Sequence, residues 1–176
     1  MSDLFAWTDP DPCKITDPLI TTQGREANRN GQFLERTVQR AFESYGFVTR
    51  RYRRGATGDL LSPLSPLTLV TRVPYRSIFR SMSHSEFVAY IKTRAIRIEC
   101  KFQDGAGSCD EKFPYVWMNA KEYPENEVAI ILGGSGFRKR AVEWLRSQCA
   151  SVMSKKIHVI TMDEVPSFIK REVFRK

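Results

Sequence analysis

Hydrophobic and polar residues alternate singly through RAIRIECKFQ, residues 94–103. The alternation predicts a strand with Ile96, Ile98, Cys100 and Phe102 on one face and Arg97, Glu99, Lys101 and Gln103 on the other. Similar β-rich runs predict strands over 47–53, 67–73 and 85–92, the last with Glu86, Val88 and Tyr90 on one face. VAIIL, 128–132, is continuously apolar, as in a strand buried on both sides, and IHVIT, 157–161, is a last strand. Leu34, Val38, Ala41, Phe42 and Tyr45 recur at helical spacing. They predict a helix from Gly31 to Tyr45, with Asn30 as N-cap and Gly46 as its end. Further helices are expected over about 139–152 and 163–173. Part of 110–123 is also helical, with Pro114 limiting where that helix begins.

The early strands are close in sequence and are expected to pair antiparallel; the last two are joined through helices and should run parallel. The fold class is therefore α/β, a mixed β-sheet flanked by α-helices. Residues 1–27 repeat Asp-Pro in DPDPCKITDP and read as a flexible N-terminal arm, with 28–176 as a single domain.

Charge adds a partner to this picture. Lys and Arg number 28 against 20 Asp and Glu, a net charge of +8, which suits a polyanion and nucleic acid first. No stretch approaches the ~18 apolar residues of a membrane span, and the N-terminus lacks a signal-peptide profile. The expectation is a soluble cytoplasmic protein with no membrane partner. Cys13, Cys100, Cys109 and Cys149 are widely spaced, which argues against a zinc ribbon. His84 and His158 are the only histidines, too few for a His-rich metal site.

The candidate chemistry lies in carboxylates. Glu99 and Lys101 point to the same side of one strand, Glu86 sits on the strand before it, and Glu35 lies beside the apolar stripe of the first helix. Two carboxylates from adjacent strands can hold Mg²⁺ or Mn²⁺, and a lysine beside them can orient a nucleophile or offset charge on a phosphorane-like transition state. Asp59, in ATGDLL, competes with Glu86 for the second acidic position.

In the order of these pieces the chain resembles the PD-(D/E)XK nuclease superfamily, over about residues 30–170. Glu35 in GQFLERTVQRAF, Glu86 in SHSEFVAYI, and Glu99 and Lys101 in IECKFQ carry the resemblance, followed by two strand-helix units. Glu86 stands where the family usually has aspartate, with no Pro-Asp. The resemblance implies a restriction-endonuclease-like core. It implies Glu86 and Glu99 as metal ligands, Lys101 as the catalytic lysine, and Glu35 as an assisting glutamate. Gln103 matches a glutamine that several branches carry two residues past the lysine. GSCDEKFPYVWMNA is similar to a motif of small phage- or bacterium-borne nucleases, and it would set Glu111 and Lys112 beside the site.

The function implied is a Mg²⁺-dependent endonuclease acting on DNA, with Mn²⁺ as substitute metal and RNA as alternative substrate. Such enzymes often work as homodimers, so that two sites cut two strands. Arg53, Arg54, Arg76, Arg80, Lys112 and Lys139 are the candidate nucleic-acid contacts. The alternatives are a Holliday-junction or branched-DNA resolvase of the same fold, and a non-catalytic nucleic-acid-binding subunit of a larger complex.

Overall fold

A computed structural model describes residues 22–53, 67–105 and 108–173. A six-stranded sheet runs in the order β1 to β6: Val48–Arg51, Leu67–Arg76, Met82–Ile91, Arg94–Phe102, Glu127–Gly133 and Lys156–Thr161. Helix α1, Thr22–Ser44, and α4, Val165–Val173, cover one face; α2, Phe113–Glu122, and α3, Lys139–Ala150, cover the other. The α/β class and the mixed sheet flanked by helices are as the patterning predicts.

Each face is sorted by strand period. Ile96, Ile98 and Cys100 join Leu34, Val38 and Phe42 of α1 and Phe168 and Ile169 of α4 in one core. Val128, Ile130 and Leu132 join Phe113, Val116 and Leu145 in the second. Burying one such side chain contributes roughly 1.5–3 kcal/mol, so the two layers fix β4 and β5 as the rigid centre.

Strand directions agree with the patterning at all but one place. β2–β3 and β3–β4 are antiparallel, and β4–β5 and β5–β6 parallel. β1, however, pairs with β2 in parallel, not antiparallel. A parallel return needs roughly a dozen residues, which the stretch between them supplies.

Two other boundaries shift. Helix α1 opens at Thr22, inside the stretch read as an arm. β3 opens at Met82, because a short connection, 77–81, closes it onto β2.

At the far edge the chain turns after β5. Gly134 has φ +86, and a Cβ there would lie 2.2 Å from the Gln103 carbonyl oxygen; a Cβ on Gly136 would lie 2.1 Å from that of Gly105. Only glycine allows that approach. The turn sets the N-terminus of α3 on the same edge of the sheet as the end of β4.

Candidate active site

The candidate site forms where β3 and β4 part. Their pairing stops at Phe87–Ile98. Beyond it the Cys100 N–H donates instead to Glu86 Oε2, at 3.0 Å. Glu99 Oε2 accepts from Lys101 Nζ at 3.0 Å, and Glu86 Oε1 lies 3.7 Å from the same ammonium. Lys101 Nζ also donates to the Cys100 carbonyl at 3.1 Å. Glu86, Glu99 and Lys101 therefore converge, as the sequence pattern requires.

The reach of Glu86 depends on a break in alternation. Phe87 and Thr71 are paired across β3 and β2, as are Ser85 and Val73, and Arg72 and Glu86 stand opposite each other between those pairs. Phe87 packs into the α1 core, whereas Val73 packs in a cluster on the other face. Ser85 likewise bonds Arg97 on that other face. Both strands thus change sides at Arg72 and Glu86. Arg72 carries φ +55, a left-handed backbone that costs an arginine about 1 kcal/mol. The expected grouping of Glu86 with Val88 and Tyr90 on one face fails for this reason. Glu86 instead lines a cleft with Glu35, Arg36, Arg72 and His84.

The electrostatics follow from burial. Burial pushes the Glu86 carboxyl up to about 7; the Lys101 ammonium opposes this and the Glu99 carboxylate adds to it. Burial also raises Glu35, against Arg72 and Lys101. Lys101 is held protonated, because the Glu99 and Glu86 carboxylates outweigh its burial. Burial raises the Cys100 thiol, so it stays neutral beneath the carboxylates.

Glu99 is held from behind by residues the motif does not contain. The Tyr123 hydroxyl donates to Glu99 Oε1 at 2.8 Å. Burial and the Glu99 charge keep that phenol protonated. Arg97, only 2% exposed, lies 5.0 Å from the Tyr123 ring centre. Its guanidinium donates two hydrogen bonds to the Glu125 carboxylate, at 2.6 and 2.9 Å, and a third to Ser85 Oγ at 2.6 Å. The Lys155 ammonium donates to the Tyr123 and Glu125 carbonyls. The other Glu99 oxygen is thereby aimed at Lys101.

The other candidates fall in three groups. Gln103 is 5% exposed and its amide clasps the loops: Nε2 donates to the Gly136 carbonyl at 2.7 Å, and Oε1 accepts from Cys109 N and Asp110 N. Arg53, Arg76, Arg80, Lys112 and Lys139 are all exposed. Arg53 lies two residues past the end of β1, whose last pair is Arg51 with Thr71, and Lys139 opens α3 on the site's edge of the sheet. Arg76 ends β2 and Arg80 lies in the β2–β3 connection. Arg54 and Asp59 lie outside the described residues.

The donor set fits a hard divalent cation. Two carboxylates already share one cationic group, and the raised Glu86 carboxyl marks a place where further positive charge is favourable. A second cluster, Glu127, His158 and Glu172, has ligand atoms within 4.8 Å of one another. It lies at the opposite end of the strands, since Glu127 pairs with Ile96 and Lys101 with Leu132. There Arg94, Lys156 and Arg171 meet the two carboxylates, so the group is an ion-pair clamp.

Fold and site together define a nuclease-type α/β domain. A family model described as the PD-(D/E)XK nuclease superfamily domain matches residues 26–172, and the chain belongs to that superfamily. No functionally curated protein matches the sequence. Among solved structures it is similar to protein VC1899 from Vibrio cholerae, at 10% identity and TM-score 0.45 over 89% of this chain and 36% of that one. It is also similar to Pyrococcus furiosus SfsA in complex with Ca²⁺, at 11% identity and TM-score 0.39 over 76% and 56%. The small subunit of the heterodimeric restriction endonuclease R.BspD6I matches at 13% identity and TM-score 0.39 over 80% and 77%. The chain thus spans less than two thirds of the first two. Among the described residues no helix is long and apolar enough to cross a membrane.

Proposed function

We propose that the chain is a metal-dependent endonuclease that hydrolyses phosphodiester bonds in DNA inside the cell. The observation that carries this reading is the convergence of Glu86 and Glu99 on one ammonium, that of Lys101. Glu86 and Glu99 would hold Mg²⁺, or Mn²⁺ in its place, and the bound metal would supply Lewis-acid polarisation of the phosphate and a more acidic water.

The chain's own groups do the rest. Lys101, held protonated, cannot accept a proton. It orients the attacking water and offsets charge on the transition state. Glu35, with its raised carboxyl, stands across the cleft as proton relay or outer ligand. Arg72 is aimed into the same cleft by its left-handed backbone and contacts the scissile phosphate. Tyr123 and Arg97 position Glu99. Two copies, one per strand, would cut a duplex.

The test is a panel of DNAs, linear duplex, supercoiled plasmid, single strand and four-way junction, with Mg²⁺, Mn²⁺ or EDTA. Wild type should cut only with metal, and Lys101→Ala should not. Metal-independent cutting, or equal cutting by the variant, would sink the reading.

A further inference from the structure

We infer that the β2–β3 hairpin tip is a binding site for an unpaired nucleobase, so that the substrate carries single-stranded nucleotides beside the cut. The inference rests on the nucleic-acid reading above and narrows its substrate class.

Phe79 is 75% exposed at the tip, the kind of exposure that a collapsed loop would avoid. The tip is not loose. Ser77 N donates to the Ser81 carbonyl at 2.9 Å, Arg80 N to the Ser77 carbonyl at 2.7 Å, and the Ser77 and Ser81 hydroxyls bond at 2.8 Å. Ile78 N donates to Asn119 Oδ1 at 2.9 Å, which pins the hairpin to α2. Asn119 is itself buried, and its Nδ2 donates to the Tyr115 carbonyl at 2.9 Å. Buried polar bonds thus hold a phenyl ring out in water.

One face of that ring is already stacked. Phe79 and Tyr115 lie with centroids 5.4 Å apart and planes 20° from parallel. A base on the open face of Phe79 would extend the stack. Aromatic platforms bind bases this way without regard to sequence, because every base has a π-face. Arg76 and Arg80 line a groove at the same hairpin, with Glu122 as the one acidic residue on its rim among the described residues. Arg80 adopts φ +62, where glycine or asparagine is usual. The two guanidinium groups complement a phosphate backbone rather than an acid-free apolar partner.

Position completes the argument. β3 runs from this tip directly into Glu86, four residues past Met82, or about 14 Å along the strand. Phe79 is therefore on the cutting edge of the sheet, but it touches none of the carboxylates. A duplex keeps its bases stacked inside and offers nothing to Phe79; a flap, gap, junction or single strand does.

The experiment measures anisotropy of a fluorescein-labelled oligothymidine, an abasic strand of equal length and a blunt duplex, all in EDTA so that nothing is cut. Wild type should bind oligothymidine roughly tenfold more tightly than the abasic strand. Phe79→Ala should erase that difference, Phe79→Trp should restore it, and duplex affinity should not move. Equal binding of base-bearing and abasic strands by wild type would overturn the inference. So would a Phe79→Ala protein that changes from dimer to monomer in sedimentation, since the patch would then be a self-association surface. The two readings separate cleanly. Base discrimination without cutting in any metal removes the nuclease and keeps the base site; cutting without base discrimination does the reverse.

Discussion

The two ends of β4 and its neighbours carry similar residues and do opposite things with them. At one end Glu127 and Glu172 face Arg94, Lys156 and Arg171, with Arg94 at 2.9 and 3.6 Å and Lys156 and Arg171 each at 3.2 Å. Each carboxylate there is matched by cations, three against two, and burial lowers the neighbouring His158 so that it stays neutral. At the other end Glu86 and Glu99 share Lys101 alone among the salt bridges of the described residues, and the Glu86 carboxyl is driven up to about 7. The first arrangement is finished and ties α4 to the sheet. The second is short of positive charge. A cluster of acids marks a site only when the fold withholds its counter-ions.

The largest effect should come from removing the cation at the acidic end. Lys101→Ala should cut roughly 10²–10⁴-fold more slowly under single-turnover conditions, with the fold unchanged by circular dichroism. Glu172→Gln at the clamped end should leave that rate alone. Equal losses in both would erase the distinction between the ends.

Arg72 sharpens the comparison by setting activity against stability. Arg72→Gly should cut roughly tenfold more slowly, yet unfold at a higher denaturant concentration, by about 1 kcal/mol, because glycine accepts φ +55 without strain. Loss of both activity and stability would show that the left-handed turn is not strained.

The pH dependence of the metal-free protein comes next. A carboxyl raised in the folded state binds more protons folded than unfolded between its ordinary value, 4.5, and about 7. Stability contributed by the protonated form is therefore present at low pH and lost as pH rises through that window. Chemical denaturation should show a fall on the order of 1–3 kcal/mol, which Glu86→Gln removes and Mg²⁺ reverses above pH 7. A flat profile in wild type would contradict the raised carboxyl.

The smallest effect belongs to the clamp. Glu172→Gln should cost about 1–2 kcal/mol in thermal or denaturant unfolding, because it frees cations that are themselves partly exposed. A change in metal response instead would move the metal to the wrong end.

Much of this could be read in the chain, and what could not has a physical cause. Glu99 and Lys101 announced themselves because β4 keeps strict period two, with Ile96, Ile98 and Cys100 all in the core under α1. Glu86 was legible as a residue but not in its aim, since alternation breaks where Arg72 turns left-handed. The start of α1 was hidden because TQGREANRN has no apolar stripe to mark it. The parallel pairing of β1 was hidden because strand direction depends on the connection, not on the strand. Arg97 shared the Glu99 face in the alternation, but Tyr123 and Glu125 leave no local signal at all. Tyr123 reaches Glu99 across 24 residues and Glu125 reaches Arg97 across 28, by tertiary packing. Gln103 matched the motif by spacing, and the structure occupies its amide with the glycine turn.

The central claim is that the divalent cation binds at the Glu86–Glu99 end. The most direct measurement is Mn²⁺ binding, followed by the loss of the free-ion electron paramagnetic signal, for wild type, Glu99→Gln and Glu172→Gln. The account predicts saturable binding by wild type and Glu172→Gln, and its loss in Glu99→Gln. Binding that survives in Glu99→Gln and vanishes in Glu172→Gln would contradict it.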